Sequence, residues 1–294
     1  MSQRLTVAAL NDCADFVAAL ANVVEHSPWI AAALASARPF DDLAALRRAI
    51  IAAIDAASPE QRLALIRSHP DLGDRLQRAA GLTAESAQEQ GGAGLDRLSD
   101  AEYALFDELN RAYHAKFSFP FVLCIRRHTR DSIIETFRRR LRNPPDAEMA
   151  DAIREIGRIA TLRLAQLVED DGTLHINGRL STHVLDTHAG CPAVGLALAL
   201  AELSHRGPAR IVARAVTNVD GRTDEALIAD RPVPIGTYEL RFDAADYYRR
   251  RGVTLAEPRF LDTVTIRFGV AEPEGHLHVP LQMTPWGYST YRGS

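Results

Sequence analysis

Two histidines stand two apart in His276-Leu277-His278-Val279-Pro280-Leu281. Along a strand, alternate residues share a face. Both imidazoles therefore point one way, and Leu277, Val279 and Leu281 the other. Two imidazoles on one face suit acid–base chemistry or a metal. A third, His183, lies in Leu180-Ser181-Thr182-His183-Val184-Leu185-Asp186, which also reads as the start of a strand. Arg222 follows the turn Asp220-Gly221. Its guanidinium is always cationic and planar, so it can hold the carbonyl and nitrogen edge of a ring with paired donors. Each histidine taken alone is also what a surface or core residue with a satisfied hydrogen bond looks like. His183, His276 and His278 could bind zinc with an open position. No carboxylate that would orient such ligands is identifiable in the sequence.

The first half carries a second set. The helix that begins at Ser58 should end near Ser68, because residue 69 precedes Pro70 and is biased away from helix. His69 therefore sits at a helix-to-loop corner, where function concentrates. If Thr83 caps a short helix, then Ser86, Glu89 and Gln90 fall three and four apart on one side of it, and the glycines from Gly91 stop it. Alone, that is an ordinary solvated helix end. Arg163 comes four after Ile159 and four before Leu167, in or beside an apolar stripe. A charge there must snorkel, pair, or face a polar pocket.

The elements that must position these residues change character along the chain. Residues 1 to about 170 have apolar positions three and four apart, the helical period. Ser58-Pro59-Glu60-Gln61 and Ser99-Asp100-Ala101-Glu102 are capping boxes. The second opens a helix with Phe106, Leu109, Tyr113 and Phe117 on one face. Asn143-Pro144-Pro145 separates one helix from another over about 146–169, and six to eight helices are expected. Later the period is two, in 210–216, 237–242 and 263–268, with one helix near 244–251. The fold class expected is α+β as two domains: an all-α helical domain over 1–170, a linker over 171–177, and a β-sandwich with one short helix over 178–294.

The chain has 294 residues, 47% hydrophobic and 24% charged, with a net charge of −4. That balance gives no reason to expect nucleic acid or an anionic membrane as partner. Cys13, Cys124 and Cys191 fit no zinc or disulfide spacing, which favours a reducing compartment. No run of 18 apolar residues and no leader-like start is present, and the expected location is cytoplasmic.

The segments 180–187, Gly221-Arg222-Thr223-Asp224, His276 to Leu281 and the terminal Tyr288-Ser289-Thr290-Tyr291-Arg292-Gly293-Ser294 come in a fixed order. Together they resemble the 5-hydroxyisourate hydrolase family, the transthyretin-like branch of the transthyretin fold, over about 178–294. The resemblance implies catalytic roles for His183, Arg222, His278 and Ser294. It implies substrate contacts from His276, Tyr291, Arg292 and Gly293, and a homotetramer with sites across subunit interfaces. Hydrolysis of an acyl–nitrogen bond needs an activated water and a stabilised oxyanion. Either His278 or His183 could be the base. The rival class is a carrier, since transthyretin binds hormone in the corresponding channel. An apolar-ligand channel has no need of these polar residues.

His69-Pro70-Asp71-Leu72-Gly73, Ser86-Ala87-Gln88-Glu89-Gln90, Lys116-Phe117-Ser118-Phe119-Pro120-Phe121 with Cys124, and the late Arg163 are also ordered. They resemble the 2-oxo-4-hydroxy-4-carboxy-5-ureidoimidazoline (OHCU) decarboxylase family over roughly 5–168. The resemblance implies His69 as acid–base and Glu89 as the residue that orients it or the substrate. Pro70, Ser86, Gln90, Phe121 and Arg163 then bind substrate, with possible dimer contacts between such domains and no metal or cofactor. A histidine titrating near neutrality would suit the proton transfer. The hydrolase's product is the decarboxylase's substrate. The two resemblances together imply conversion of 5-hydroxyisourate to (S)-allantoin. The expected ligands are these small molecules, with no nucleic acid and no membrane.

Overall fold

The computed structural model describes residues 4–73, 82–95 and 98–293. The chain divides into two compact units: Met1–Arg126 with Ile133–His175, and Arg127–Ser132 with Ile176–Ser294. The N-terminal region is helical and the C-terminal region is built of β-sheet.

The helices before residue 170 are α1 (Val7–Asn11), α2 (Phe16–Leu20), α3 (Pro28–Ala35), α4 (Leu43–Asp55), α5 (Pro59–Arg67), α6 (Ala84–Gly92), α7 (Asp100–Phe117), α8 (Arg130–Arg140) and α9 (Pro145–Leu167). These nine, among the described residues, already exceed the six to eight expected. The two five-residue helices α1 and α2 are too short to show a period, and each rests on a side-chain cap, from Thr6 and from Asp15.

The longer starts follow their capping residues. In α5 the Ser58 hydroxyl accepts from the Gln61 amide, and the Gln61 side chain accepts from the Ser58 amide. Ser99 and Glu102 do the same for α7. At α4, Asp42 caps the first turn, and two further oxygens, from Asp171 and Thr173, accept the N–H groups of Leu43 and Ala44 at 2.8 and 3.0 Å. Residues 171 and 173, expected to belong to a linker, thus hold a helix end.

Helix α9 packs against α4 and α5. Its buried positions include Ile156, Ile159, Ala160 and Leu164. Phe106, Leu109, Tyr113 and Phe117 of α7 are buried on one face, as the period requires. Tyr113 and Phe137 enclose Phe121, whose ring stacks on Phe137 at 3.8 Å. The extended stretch from Phe121 is pinned by two buried side chains. Arg140 donates to the Val122 carbonyl at 2.7 Å, and Glu155 accepts the Cys124 amide at 3.0 Å.

In the second unit, β5 (Arg210–Val216), β4 (Ala197–Glu202), β7 (Gly236–Asp243) and β8 (Thr263–Val270) form one antiparallel sheet in that order. The facing layer has two parts. One is β6 (Ile228–Arg231), β1 (Gly178–Ser181) and β9 (His276–His278). The other is β11 (Gly287–Thr290), β10 (Leu281–Thr284), β2 (Val184–Asp186) and β3 (Cys191–Pro192). The pairs β1–β9 and β2–β10 are both parallel. They are two stretches of one strand pair, interrupted at Thr182-His183 and Val279-Pro280. The ladder continues through the break, since Val279 donates to Ser181 and Leu281 to His183, at 2.9 and 2.8 Å. Proline 280 has no N–H, so the regular ladder cannot run through it.

Leu180, Val184 and Met283 of this layer meet Leu198, Leu240 and Phe242 of the other in a single core. Helix α10 (Ala244–Arg250) closes it with Tyr247 and Tyr248, whose hydroxyls both donate to buried Asp186. No described helix is long and apolar enough to cross a membrane.

Candidate active sites

In the helical unit, α5 ends at Arg67, and its last carbonyls lack partners within the helix. The Leu65 carbonyl accepts from Nδ1 of His69 at 2.9 Å. A carbonyl only accepts, so Nδ1 carries the hydrogen and Nε2 is a bare lone pair. That Nε2 is buried with no hydrogen-bond partner. His69 lines a pocket with the polar Ser86, Glu89, Gln90 and Arg163. Pro70, Leu72, Ile159 and the stretch Phe121, Val122, Leu123 and Ile125 complete its lining.

Burial pushes the pKa of His69 down from its ordinary value to about 4, against the opposing pull of the Leu65 carbonyl and the Glu25 carboxylate. The resting imidazole is neutral and begins as a proton acceptor. The histidine expected to titrate near neutrality does not, because burial disfavours its charged form.

Arg163 neither snorkels nor reaches solvent; it is 5% exposed. It pairs. Nε and Nη2 donate to the two oxygens of Glu89 at 2.9 and 3.0 Å. Nη1 donates to Glu25 at 2.5 Å and to the Asn22 carbonyl at 3.2 Å, and Nη2 also reaches the Ser86 hydroxyl at 3.2 Å. Gln90 accepts from the Gly73 amide at 3.3 Å and donates to the Asp71 carbonyl at 3.4 Å, tying the loop after His69 to α6. His69, Pro70, Ser86, Glu89, Gln90, Phe121 and Arg163 therefore come together around one cavity.

A larger groove of the same unit, lined by Ile51, Ile54, Met149 and Ile153 with Arg47, Arg62, Arg154 and Arg158, contains no histidine. Arg154 and Arg158 there are paired with Asp151 and Glu155.

In the β-sheet unit the parallel register sets Ser181 opposite His278 and Arg179 opposite His276. The Ser181 hydroxyl lies 2.8 Å from Nε2 of His276 and 3.0 Å from Nδ1 of His278. It has one hydrogen to give, so at least one of the two ring nitrogens must carry its own. His183 and Arg222 form an antiparallel bridge. That bridge depends on Gly221, which has φ of +73° and whose Cβ would lie 2.3 Å from the Val184 carbonyl oxygen.

Gly293 bridges back to His278, its N–H donating to the His278 carbonyl at 2.9 Å. Burial pushes the pKa of His278 down, and the charges of Arg222, His276 and His183 push it the same way. His278 is therefore neutral at neutral pH. Tyr291 and Arg292 lie exposed just before Gly293, and Arg292 turns toward Glu272 at 3.6 Å. Ser294 lies outside the described residues. Among the described residues, no three His, Cys, Asp or Glu side chains are placed to share a metal ion. The three-histidine zinc arrangement is thus not formed.

Comparison with known proteins gives two family matches. The OHCU decarboxylase family model covers residues 10–165, and that of the HIUase/transthyretin family covers 180–293. The chain belongs to both families. It is 57% identical over 118 residues to the 5-hydroxyisourate hydrolase of Mesorhizobium japonicum, spanning 40% of this chain and 93% of that one. It is 40% identical over 173 residues to the 2-oxo-4-hydroxy-4-carboxy-5-ureidoimidazoline decarboxylase of Halalkalicoccus jeotgali, spanning 58% of this chain and 96% of that one. A crystal structure of (S)-allantoin synthase aligns along 99% of this chain and 100% of its own, with 32% identity and a TM-score of 0.55.

For the OHCU decarboxylase part, sequence reasoning missed Glu25. It is a charged residue in a turn, after the apolar pair Val23-Val24, with no period to mark it. For the HIUase part it missed Ser181, although Ser181 lies in a segment already singled out. Its register with the two histidines is a fact of strand pairing.

Two outcomes are expected. Because His69 stays neutral well below its ordinary pKa, kcat/KM for decarboxylation should hold level from pH 8 down to pH 6. A fall centred near the ordinary histidine value would show that the site is not dry. At Gly293 an added methyl would lie 2.7 Å from Cδ2 of His278. Gly293→Ala should lower hydrolase kcat/KM by about tenfold or more, since misplacing a reacting group by an ångström costs that much. Decarboxylation by the same protein should be unaffected, and stopped-flow absorbance reads both.

Proposed function

We propose that this protein carries out two consecutive steps of urate breakdown, hydrolysing 5-hydroxyisourate to OHCU and decarboxylating OHCU to (S)-allantoin. The observation that carries the reading is the buried, unpartnered Nε2 of His69 at the helical pocket, on the same chain as the His183–Arg222 and His278–Gly293 bridges. In this reading residues 1–170 form an all-α decarboxylase domain and 178–294 a transthyretin-like sandwich with one short helix, joined through 171–177.

In the first step the imidazole of His278 or of His183 takes a proton from water as the water adds to the ring's acyl carbon. Arg222 stabilises the oxyanion. His276 and Ser181 hold the ring of His278, and the segment Tyr291, Arg292, Gly293 and Ser294 closes over the substrate.

In the second step the electron pair freed by loss of CO₂ passes into the imidazoline ring, and the ring nitrogen that receives it takes a proton from solvent. His69 takes the proton of the neighbouring hydroxyl at Nε2, and a carbonyl forms there. The proton then returns to the ring carbon that bears the ureido group. Glu89 orients the substrate, while Ser86, Gln90, Arg163, Pro70 and the backbone at Phe121 bind it. No cofactor enters either step, since each needs only proton transfer and charge stabilisation.

Several apolar side chains of the β-sheet unit are left open, among them Val216 at 57%, Val219 at 75%, Trp286 at 59% and Tyr291 at 60% exposure. Isolated apolar residues on a surface are common, but this group includes residues next to Arg222 and Gly293. It supports a homotetramer built on this unit, with each hydrolase site completed by a neighbouring copy and possible dimer contacts between the decarboxylase domains. Sedimentation analysis should give four times the mass of the chain, and a monomer that hydrolyses at full rate would remove the assembly. The small substrates and the reduced cysteines fit work in the cytoplasm.

The deciding experiment is a time course from urate and urate oxidase, followed by absorbance and circular dichroism. His69→Ala should lower decarboxylation by ~10²-fold or more and leave hydrolysis intact, while His278→Ala should do the reverse. Fast decay of 5-hydroxyisourate with slow, racemic allantoin from the unaltered protein would end the decarboxylase reading. Decay at the spontaneous rate would favour a carrier.

A further inference from the structure

Glu25 is 2% exposed, and it joins three separate segments at the decarboxylase pocket. Its carboxylate accepts from the hydroxyl of Thr83, the cap of α6, at 2.7 Å, and from Ser86 at 3.1 Å. The same carboxylate holds Nη1 of Arg163, and the Glu25 carbonyl accepts from Ser68, the residue before His69. Arg163 has five N–H donors, and five acceptors lie around it: Glu25, the Asn22 carbonyl, Ser86 and both oxygens of Glu89. One positive charge therefore faces two carboxylates before any substrate arrives.

That balance bears on a decarboxylation. The leaving carboxylate is charged in the ground state and becomes neutral CO₂, while its electron pair moves into the ring. A cation that grips the carboxylate firmly stabilises the ground state more than the transition state, and so slows the step. An arginine already over-matched by carboxylates grips it weakly.

We propose that Glu25 is a positioning residue for the decarboxylation, which holds Arg163 against Glu89 and restrains its grip on the substrate's scissile carboxylate. The inference rests on the assignment of this pocket to OHCU. The pairing carries it: Glu89 alone could hold the guanidinium with two bonds, yet a second carboxylate is buried against the remaining edge. Glu25 is not among the residues that line the pocket; its carboxylate reaches the site through Arg163 and Ser86, which do line it.

The test uses the full-length chain with Glu25→Gln, which keeps the side chain's shape and removes its charge. Glu25→Asp keeps the charge and draws it back from Arg163. The readouts are kcat and KM for OHCU, and Kd for two probes: hydantoin-5-acetate, which carries a carboxylate, and allantoin, which does not. With Glu25→Gln, kcat should fall by roughly tenfold while KM falls too, a split that marks ground state stabilised over transition state. Hydantoin-5-acetate should bind several-fold tighter (~1.4 kcal/mol per factor of ten), with allantoin unchanged. Glu25→Asp should move each value the same way by less, and it carries the test alone if the Gln variant does not fold. Hydrolysis of 5-hydroxyisourate by the same samples reports that the rest of the chain is intact.

Equal weakening of both probes in the variants would reduce Glu25 to a structural role and overturn the proposal, as would unchanged kinetics. Absence of decarboxylation in the unaltered protein would instead overturn the assignment of the pocket, while the comparison of the two probes would still decide the role of Glu25.

Discussion

A guanidinium taken out of water has to be answered by carboxylates, and the helical unit is arranged around that requirement at Arg163. Left alone, a buried charge costs several kcal/mol. Here α9 supplies the cation, α6 supplies Glu89 and Ser86, and the turn after α2 supplies Glu25 and the Asn22 carbonyl. Three parts of the chain far apart in sequence are brought to one point. The His69 corner is joined to the same point through Ser68 and Glu25. His69 is buried beside that point, and this burial keeps the imidazole neutral.

The β-sheet unit solves the same problem of placement by a different means. Its site contains no buried ion pair among the described residues. Its precision comes from main-chain approach: Gly221 lets a turn pass against Val184, and Gly293 lets the terminal segment lie on the ring of His278. Parallel pairing of β1 with β9 then fixes the side chains, because a one-residue slip would turn Ser181 away from both histidines. The first site is vulnerable to a change of charge, and the second to a change of size.

Much of this was legible beforehand. Both capping boxes form, the helix before His69 stops where the proline requires, and Arg163 falls in the buried stripe. The residues named for the helical site line one pocket, and in the β-sheet unit His183 bridges Arg222 and His278 bridges Gly293; Tyr291 and Arg292 lie exposed, and Ser294 lies outside the described residues. What could not be read has a common cause. Glu25 and Ser181 act through partners more than forty residues away, and no local period records such contacts. The lowered pKa of His69 belongs to the same class, since burial is a property of the whole packing. The helix count came out low because helices of five residues show no repeat.

The hydrogen bond from His69 to the Leu65 carbonyl has a consequence beyond protonation. A carbonyl at the end of an α-helix points along the helix axis, so it fixes the plane and direction of the imidazole as well as its tautomer. The ring can present its lone pair from one side of the cavity only. Carbon protonated from a single side becomes a stereocentre of one sense. With His69 as the proton carrier of the proposed reaction, the right-handedness of a nine-residue peptide helix, itself imposed by L-amino acids, would be passed on to the chirality of the product.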